Sequence, residues 1–197
     1  RSRSQSRISS DITAASGLWG VQHVWTRTSV YTIQGSPDQG YRVESSEDGC
    51  GNFTGRGVVE VGTALMWIGP DGVFAWGGSV RPERVSNPPV EDGHPIGIEA
   101  TIQRINPLAV DGIVGDYNPS LKVVRWAVPV DGSMWNNLVI CFNLQTRAFT
   151  FHNCDAFTDI KSVVGPTGSY VTLAGDMYGG LWQLDNGYSE GCYGVEC

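Results

Sequence analysis

The chain has 197 residues, enough for one domain with a sizeable core, and its 41% hydrophobic content argues against disorder. Its 26 Gly and 10 Pro favour many turns over long helices. A net charge of −7 with a pI near 4.8 argues against sequence-independent nucleic-acid binding, which needs a basic surface, and no run of 18 apolar residues is present to cross a membrane as a helix.

Residues 1–17 are expected to form a flexible N-terminal arm. It opens with the basic stretch Arg1-Ser2-Arg3-Ser4-Gln5-Ser6-Arg7, which no apolar signal core follows. The lack of an initiator Met fits a fragment or processed product of something longer. From 18 to 190 short apolar runs alternate with turn signals, and an all-β domain is expected there, followed by a tail at 191–197. Asp-Gly occurs at 48–49, 71–72, 92–93, 111–112 and 131–132, and Asn-Gly at 186–187; each can supply the positive φ angles of a hairpin turn. The clearest hairpin runs from Ala64 to Trp76, two apolar strands around Pro70-Asp71-Gly72. A helical insertion is expected over 93–106, where Ile98, Ile102 and Ile105 share one face and Pro107 supplies a stop. Val123–Val128 reads as a strand leading to Asp131-Gly132. Leu138–Phe142 and Ala148–Phe151 form a second hairpin, with Phe149 and Phe151 on one buried face. Tyr170–Gly175 opens the last hairpin, which closes at Leu181–Leu184.

Four of these stretches look like weak copies of one another. Aligned on Val30, Val73, Val139 and Leu181, they lie 43, 66 and 42 residues apart. Two of the steps match the roughly 40–50 residues of a four-stranded propeller blade. The longer one leaves room for an insertion. The spacing predicts propeller-like blades of antiparallel strands near 18–60, 61–110, 111–155 and 156–190, either an incomplete propeller or a fragment of one.

No pattern of catalysis emerges. Gly49-Cys50-Gly51-Asn52-Phe53-Thr54-Gly55-Arg56-Gly57 is glycine-rich, but no Gly-Lys-Ser/Thr follows, so it reads as a bend between blades rather than a phosphate loop. His23, His94 and His152 stand apart from any metal-ligand spacing; His152 and Cys154 make at best a weak pair. Ser79 lacks the closing glycine of a nucleophile elbow. Trp67, Trp76, Trp126 and Trp182 sit inside expected strands, which points to packing between sheets. Among the odd number of cysteines, Cys50, Cys141, Cys154, Cys192 and Cys197, the strands admit a Cys141–Cys154 bridge that spacing alone does not establish. Asn52-Phe53-Thr54 spells a glycosylation sequon without a secretory signal to give it meaning. The expectation is therefore no catalytic residue, no cofactor and no metal: not an enzyme.

The run Trp25-Thr26-Arg27-Thr28-Ser29-Val30-Tyr31-Thr32-Ile33-Gln34-Gly35 is followed by a glycine-rich bend, a Trp-containing strand, Asp71-Gly72-Val73-Phe74 and Gly77-Gly78-Ser79. Asp116-Tyr117-Asn118 to Trp126-Ala127-Val128-Pro129, then Asn137 to Phe149, continues the pattern. Over about residues 18–185 this resembles the β-propeller domains of bacteriophage tail proteins of the nozzle or adaptor type. That resemblance implies a virion structural protein without catalysis. Its subunits would form a homo-oligomeric ring around the DNA exit channel beside other virion subunits, with no specific nucleic-acid binding and no membrane span. Nozzle-type proteins are usually several times longer. The rival expectations are a secreted or surface β-propeller that binds or cleaves carbohydrate, and a host scaffold that binds peptides.

Overall fold

The computed structural model describes residues 8, 10–18, 20–78, 81–86 and 98–185, with the side chains of 45–48 left aside. Among them fifteen strands form four antiparallel sheets, and helix is confined to short turns. Sheet 1 contains β1 (Ile12–Leu18), β2 (Val21–Thr26), β3 (Ser29–Ser36) and β4 (Gly40–Asp48). Sheet 2 contains β5 (Val59–Val61), β6 (Ala64–Gly69), β7 (Gly72–Trp76) and β8 (Glu83–Arg84). Sheet 3 contains β9 (Val114–Asn118), β10 (Val123–Val128), β11 (Leu138–Asn143) and β12 (Phe149–Asn153). Sheet 4 contains β13 (Phe157–Val164), β14 (Tyr170–Asp176) and β15 (Leu181–Leu184). Every sheet is a meander, its strands paired in chain order. The fold is all-β, as the turn-rich composition predicts.

The four repeat positions all fall on the third strand of their sheets: Val30 on β3, Val73 on β7, Val139 on β11 and Leu181 on β15. The long step between the second and third copies holds the helix α1 (Glu99–Gln103). Only Ile102 of the three isoleucines lies within it: Ile98 precedes its first turn and Ile105 forms a β-bridge with Val130, so all three are buried but the helix is five residues long and does not reach 106. The part of the expected insertion over 93–97 lies outside the described residues.

Several expectations need correction. The domain does not start at 18: Ile12–Leu18, assigned to the arm, is the first strand of sheet 1. Its small residues Ala14, Ala15, Ser16 and Gly17 give little apolar alternation, so the strand is hard to see in sequence. Only one of the Asp-Gly pairs within the described residues has the expected conformation, Asp131-Gly132, with φ of 55° and 76°. In the Ala64–Trp76 hairpin the loop is Pro70-Asp71, and Gly72 already pairs with Gly69. Asp111-Gly112 closes a 3-10 turn, and Gly49 leads out of sheet 1 into the connecting loop. Phe151 is not buried on the face of Phe149; it is 44% exposed, because β12 is an edge strand whose burial ends with Phe149 packing on Phe142. The pairs 92–93 and 186–187, the arm at 1–7 and the tail at 191–197 lie outside the described residues.

The sheets pack face to face in chain order. Strand alternation separates the two faces of sheet 2. Leu65, Trp67, Phe74 and Trp76 meet Ala14, Trp25 and Val30 of sheet 1, whereas Met66, Ile68 and Val73 meet Val124, Trp126, Val128 and Ile140 of sheet 3. The opposite face of sheet 3, with Val114, Ala127, Val139 and Cys141, meets Phe157, Ile160 and Ala174 of sheet 4. No core cluster among the described residues joins sheet 4 to sheet 1.

The glycine-rich bend acts as a wedge between the first two sheets. The Gly49 amide donates to the Thr28 carbonyl and Asn52 to Thr26, while Phe53 donates to Ile68 of β6. A Cβ on Gly69 would stand 1.9 Å from the Gly51 carbonyl oxygen, and one on Gly51 1.9 Å from that of Arg27, so neither position accepts a side chain.

Candidate functional site

Three interfaces between sheets hold the core clusters of the described residues, and each has its own chemistry. Between sheets 1 and 2 the contact is aromatic. Trp25 meets Trp67 edge-on at 5.3 Å between ring centroids, and Trp67 stacks on Phe74 at 5.7 Å. The Trp67 indole N–H donates to the carbonyls of Cys50 and Gly51, both at 3.2 Å, which ties the bend to the sheet. His23 is buried with its ring 4.1 Å from that of Trp76. Its Nδ1 and the Trp25 Nε1 have no hydrogen-bond partner among the described residues. Burial pushes the His23 imidazole below its usual range, so this histidine is held neutral.

Between sheets 2 and 3 the contact is aliphatic around one indole. Trp126 is fully buried and donates to the Gly57 carbonyl at 2.9 Å. It lies flat across β9 because position 115 is glycine: a Cβ there would stand 2.7 Å from the indole.

Between sheets 3 and 4 half of the contact is polar. Arg125 projects from β10, only 5% of its side chain exposed, and donates two hydrogen bonds from Nη2 to the Asp185 carboxylate, at 2.6 and 2.7 Å. Its Nη1 donates to the Thr172 hydroxyl at 3.3 Å. That hydroxyl also accepts from the Asn118 amide at 2.9 Å and lies 3.1 Å from the Ser162 hydroxyl. The Asp116 carboxylate accepts from the Ser162 amide at 2.6 Å and faces Lys161 at 3.4 Å. Cross-strand pairing explains the cluster: Asp116, Arg125 and Cys141 are opposite one another on three adjacent strands, so all three face sheet 4. Charge-assisted bonds to both oxygens of a carboxylate offset the cost of burying a guanidinium, and the cluster clamps sheet 4 to sheet 3.

The Cys141 thiol beside this network is not activated. Burial drives the Cys141 thiol up to about 11, against the opposing pull of Arg125, so it is protonated at neutral pH. Burial likewise raises Cys154 to about 12. Cys141 and Cys154 are free thiols. A Cys141–Cys154 bridge does not form: Cys141 pairs with Thr150 and the Cys154 amide donates to the Asn137 carbonyl, which sets the two cysteines four residues apart along the hairpin, about 13 Å. Among the described residues no three His, Cys, Asp or Glu side chains could share a metal ion. His152 sits on the exposed edge strand β12, and His94 and Ser79 lie outside the described residues. The sequon residue Asn52 is fully buried, its amide bonded to the Thr54 backbone, so it offers no room for a glycan.

Trp67, Trp76 and Trp126 lie between sheets as their strand positions predict, and Trp182 is partly buried there. Trp135 is different: it is 55% exposed on the loop between β10 and β11, next to exposed Met134. The Arg125 clamp escaped sequence reading because its partners lie 47 and 60 residues away, with only the lone charge inside Val123–Val128 as a signal. Compared with known proteins, the chain matches no family model and no curated protein sequence.

Proposed function

We propose that this chain is a structural subunit of a bacteriophage virion, a tail nozzle- or adaptor-type component whose propeller-like blades assemble into a ring around the DNA exit channel. The observation that carries this reading is the row of four face-to-face sheets, at whose ends Leu181 and Val163 on the outer face of sheet 4 and Tyr41 on that of sheet 1 are exposed. Apolar sheet faces are stable when another layer covers them, and repeated layers are the common way of building extended assemblies. The net charge of −7 suits a channel wall, since an acidic surface does not grip phosphates. Sedimentation velocity with negative-stain imaging at micromolar concentration tests this. A closed ring that fails to retain duplex DNA at physiological salt is expected. A stable monomer overturns the assembly, and tight, salt-sensitive duplex binding overturns the channel.

A second reading, a surface β-propeller that binds carbohydrate, draws on exposed Trp135, whose indole face could stack on a sugar ring. A monomer that binds immobilised oligosaccharides and loses that binding in Trp135→Ala would favour it.

A further inference from the structure

The repeat has a direction, and the direction runs off the end of the described row. Val30 faces sheet 2, Val73 faces sheet 3 and Val139 faces sheet 4. In each case the repeat position points toward the next sheet. The residue after it points toward the previous one: Phe74 faces sheet 1, Ile140 faces sheet 2 and Trp182 faces sheet 3. Leu181 is the fourth member of the forward series. It pairs with Gly175, on the face opposite Ala174 and Trp182, so it points away from sheet 3, and it is 72% exposed. Tyr31 is the first member of the backward series. It lies on the face opposite Trp25 and Val30 and is half-buried.

Each end face is apolar around these residues. On sheet 4, Val163 pairs with Val171, and Leu173 sits between Lys161 and Gln183. The charges at that end are already engaged within the chain, Lys161 with Asp116 and Asp159 with Arg56. On sheet 1, Tyr31 shares its face with Ile33, Val43, Ala15 and Val24, of which Val24, between Tyr31 and Ala15, is already buried. No described side chain on this face pairs Ile33 or Val43 with a charge: their cross-strand neighbours are Gln22 and each other.

We propose that the occupant of each end face is a second copy of this chain, bound head to tail, with the sheet 4 outer face of one copy on the sheet 1 outer face of the next. The argument is continuity: three interfaces within the chain already join a forward-pointing residue to the following sheet, and the fourth repeat presents the same residue with the same orientation. A contact between two different faces is heterologous, so it propagates, giving a ring where the rotation closes. The proposal rests on the assembly reading above and assigns its contact surface. Because the faces are apolar while each copy carries −7, salt strengthens the contact by screening repulsion between copies.

Two variants and their mixture test it by sedimentation velocity, with near-ultraviolet circular dichroism reporting the fold. Leu181→Glu spoils the sheet 4 face, and Ile33→Glu spoils the sheet 1 face; Tyr31→Glu replaces Ile33→Glu should the latter fail to fold. The wild type is expected to assemble, more strongly at 0.5 M than at 0.1 M sodium chloride, and each variant alone is expected to lose the assembled species. An equimolar mixture of the two is expected to form a dimer and nothing larger, since one intact face remains on each. Wild type that sediments as a monomer overturns this proposal and the assembly reading together. Assembly that persists in either variant, or a mixture that stays monomeric, overturns the head-to-tail contact and leaves the ring standing.

Discussion

Among the described residues, sheets 2 and 3 contribute both faces to core clusters between sheets, and sheets 1 and 4 contribute one. The difference is written into their strands. β6, β7, β10 and β11 are apolar runs apart from Arg125 and the terminal Asn143, as expected of strands packed on both sides. β3 and β14 mix apolar residues with Thr, Gln and Gly. The comparison teaches that position in the row, rather than place within the repeat, decides what a residue is worth. Val139 and Leu181 are equivalent in the repeat, yet one is buried and the other is largely in solvent.

The sharpest way to break the comparison is at its centre. Trp126→Ala removes a fully buried indole that bridges sheets 2 and 3 and leaves the Gly57 carbonyl unpaired. A loss of about 3–5 kcal/mol is expected in urea unfolding. A loss under about 1 kcal/mol would mean that the central interface is no tighter than the ends.

Asp185→Asn probes the junction between a central sheet and an end sheet. It leaves the buried Arg125 guanidinium without its counter-charge, and a loss of about 2–3 kcal/mol is expected by the same measurement. An unchanged urea midpoint would show that Thr172 alone suffices to hold Arg125.

The smallest expected effect is pH-dependent and lies between sheets 1 and 2. His23 is held neutral by burial, so its folded pKa lies below the unfolded value near 6.5. Below that pH the unfolded chain binds the proton first, and stability falls as pH drops. Comparing urea midpoints at pH 7.5 and 5.0 should show His23→Leu losing less stability on acidification than the wild type. Equal losses would place the sensitive group elsewhere.

The strands with two buried faces were legible because runs such as Ala64–Ile68 and Leu138–Phe142 are short and apolar, and the first is followed at once by the turn residues Gly69-Pro70-Asp71. The repeat spacing was legible because it follows the third strand of each sheet. What sequence hid was long-range. The Arg125 clamp joins residues dozens of positions apart, and Ile12–Leu18 becomes a strand through pairing with β2 rather than through its own composition. Turn dipeptides misled for a local reason: Asp-Gly permits a hairpin but does not require one, and neighbouring packing chose other turns at 48–49 and 111–112.

The meander order of the sheets also has a consequence for how the chain acquires its structure. Hairpins between consecutive strands close in microseconds, and contacts between neighbours in sequence lower the entropy that must be surrendered before packing begins. Every sheet here is made of adjacent strands, and each after the first packs on the sheet before it. Folding can therefore keep pace with synthesis from the N-terminal side. A ribosome that has released the chain past Trp76 has already delivered every buried residue of the sheet 1–sheet 2 core, from Ala14 onward.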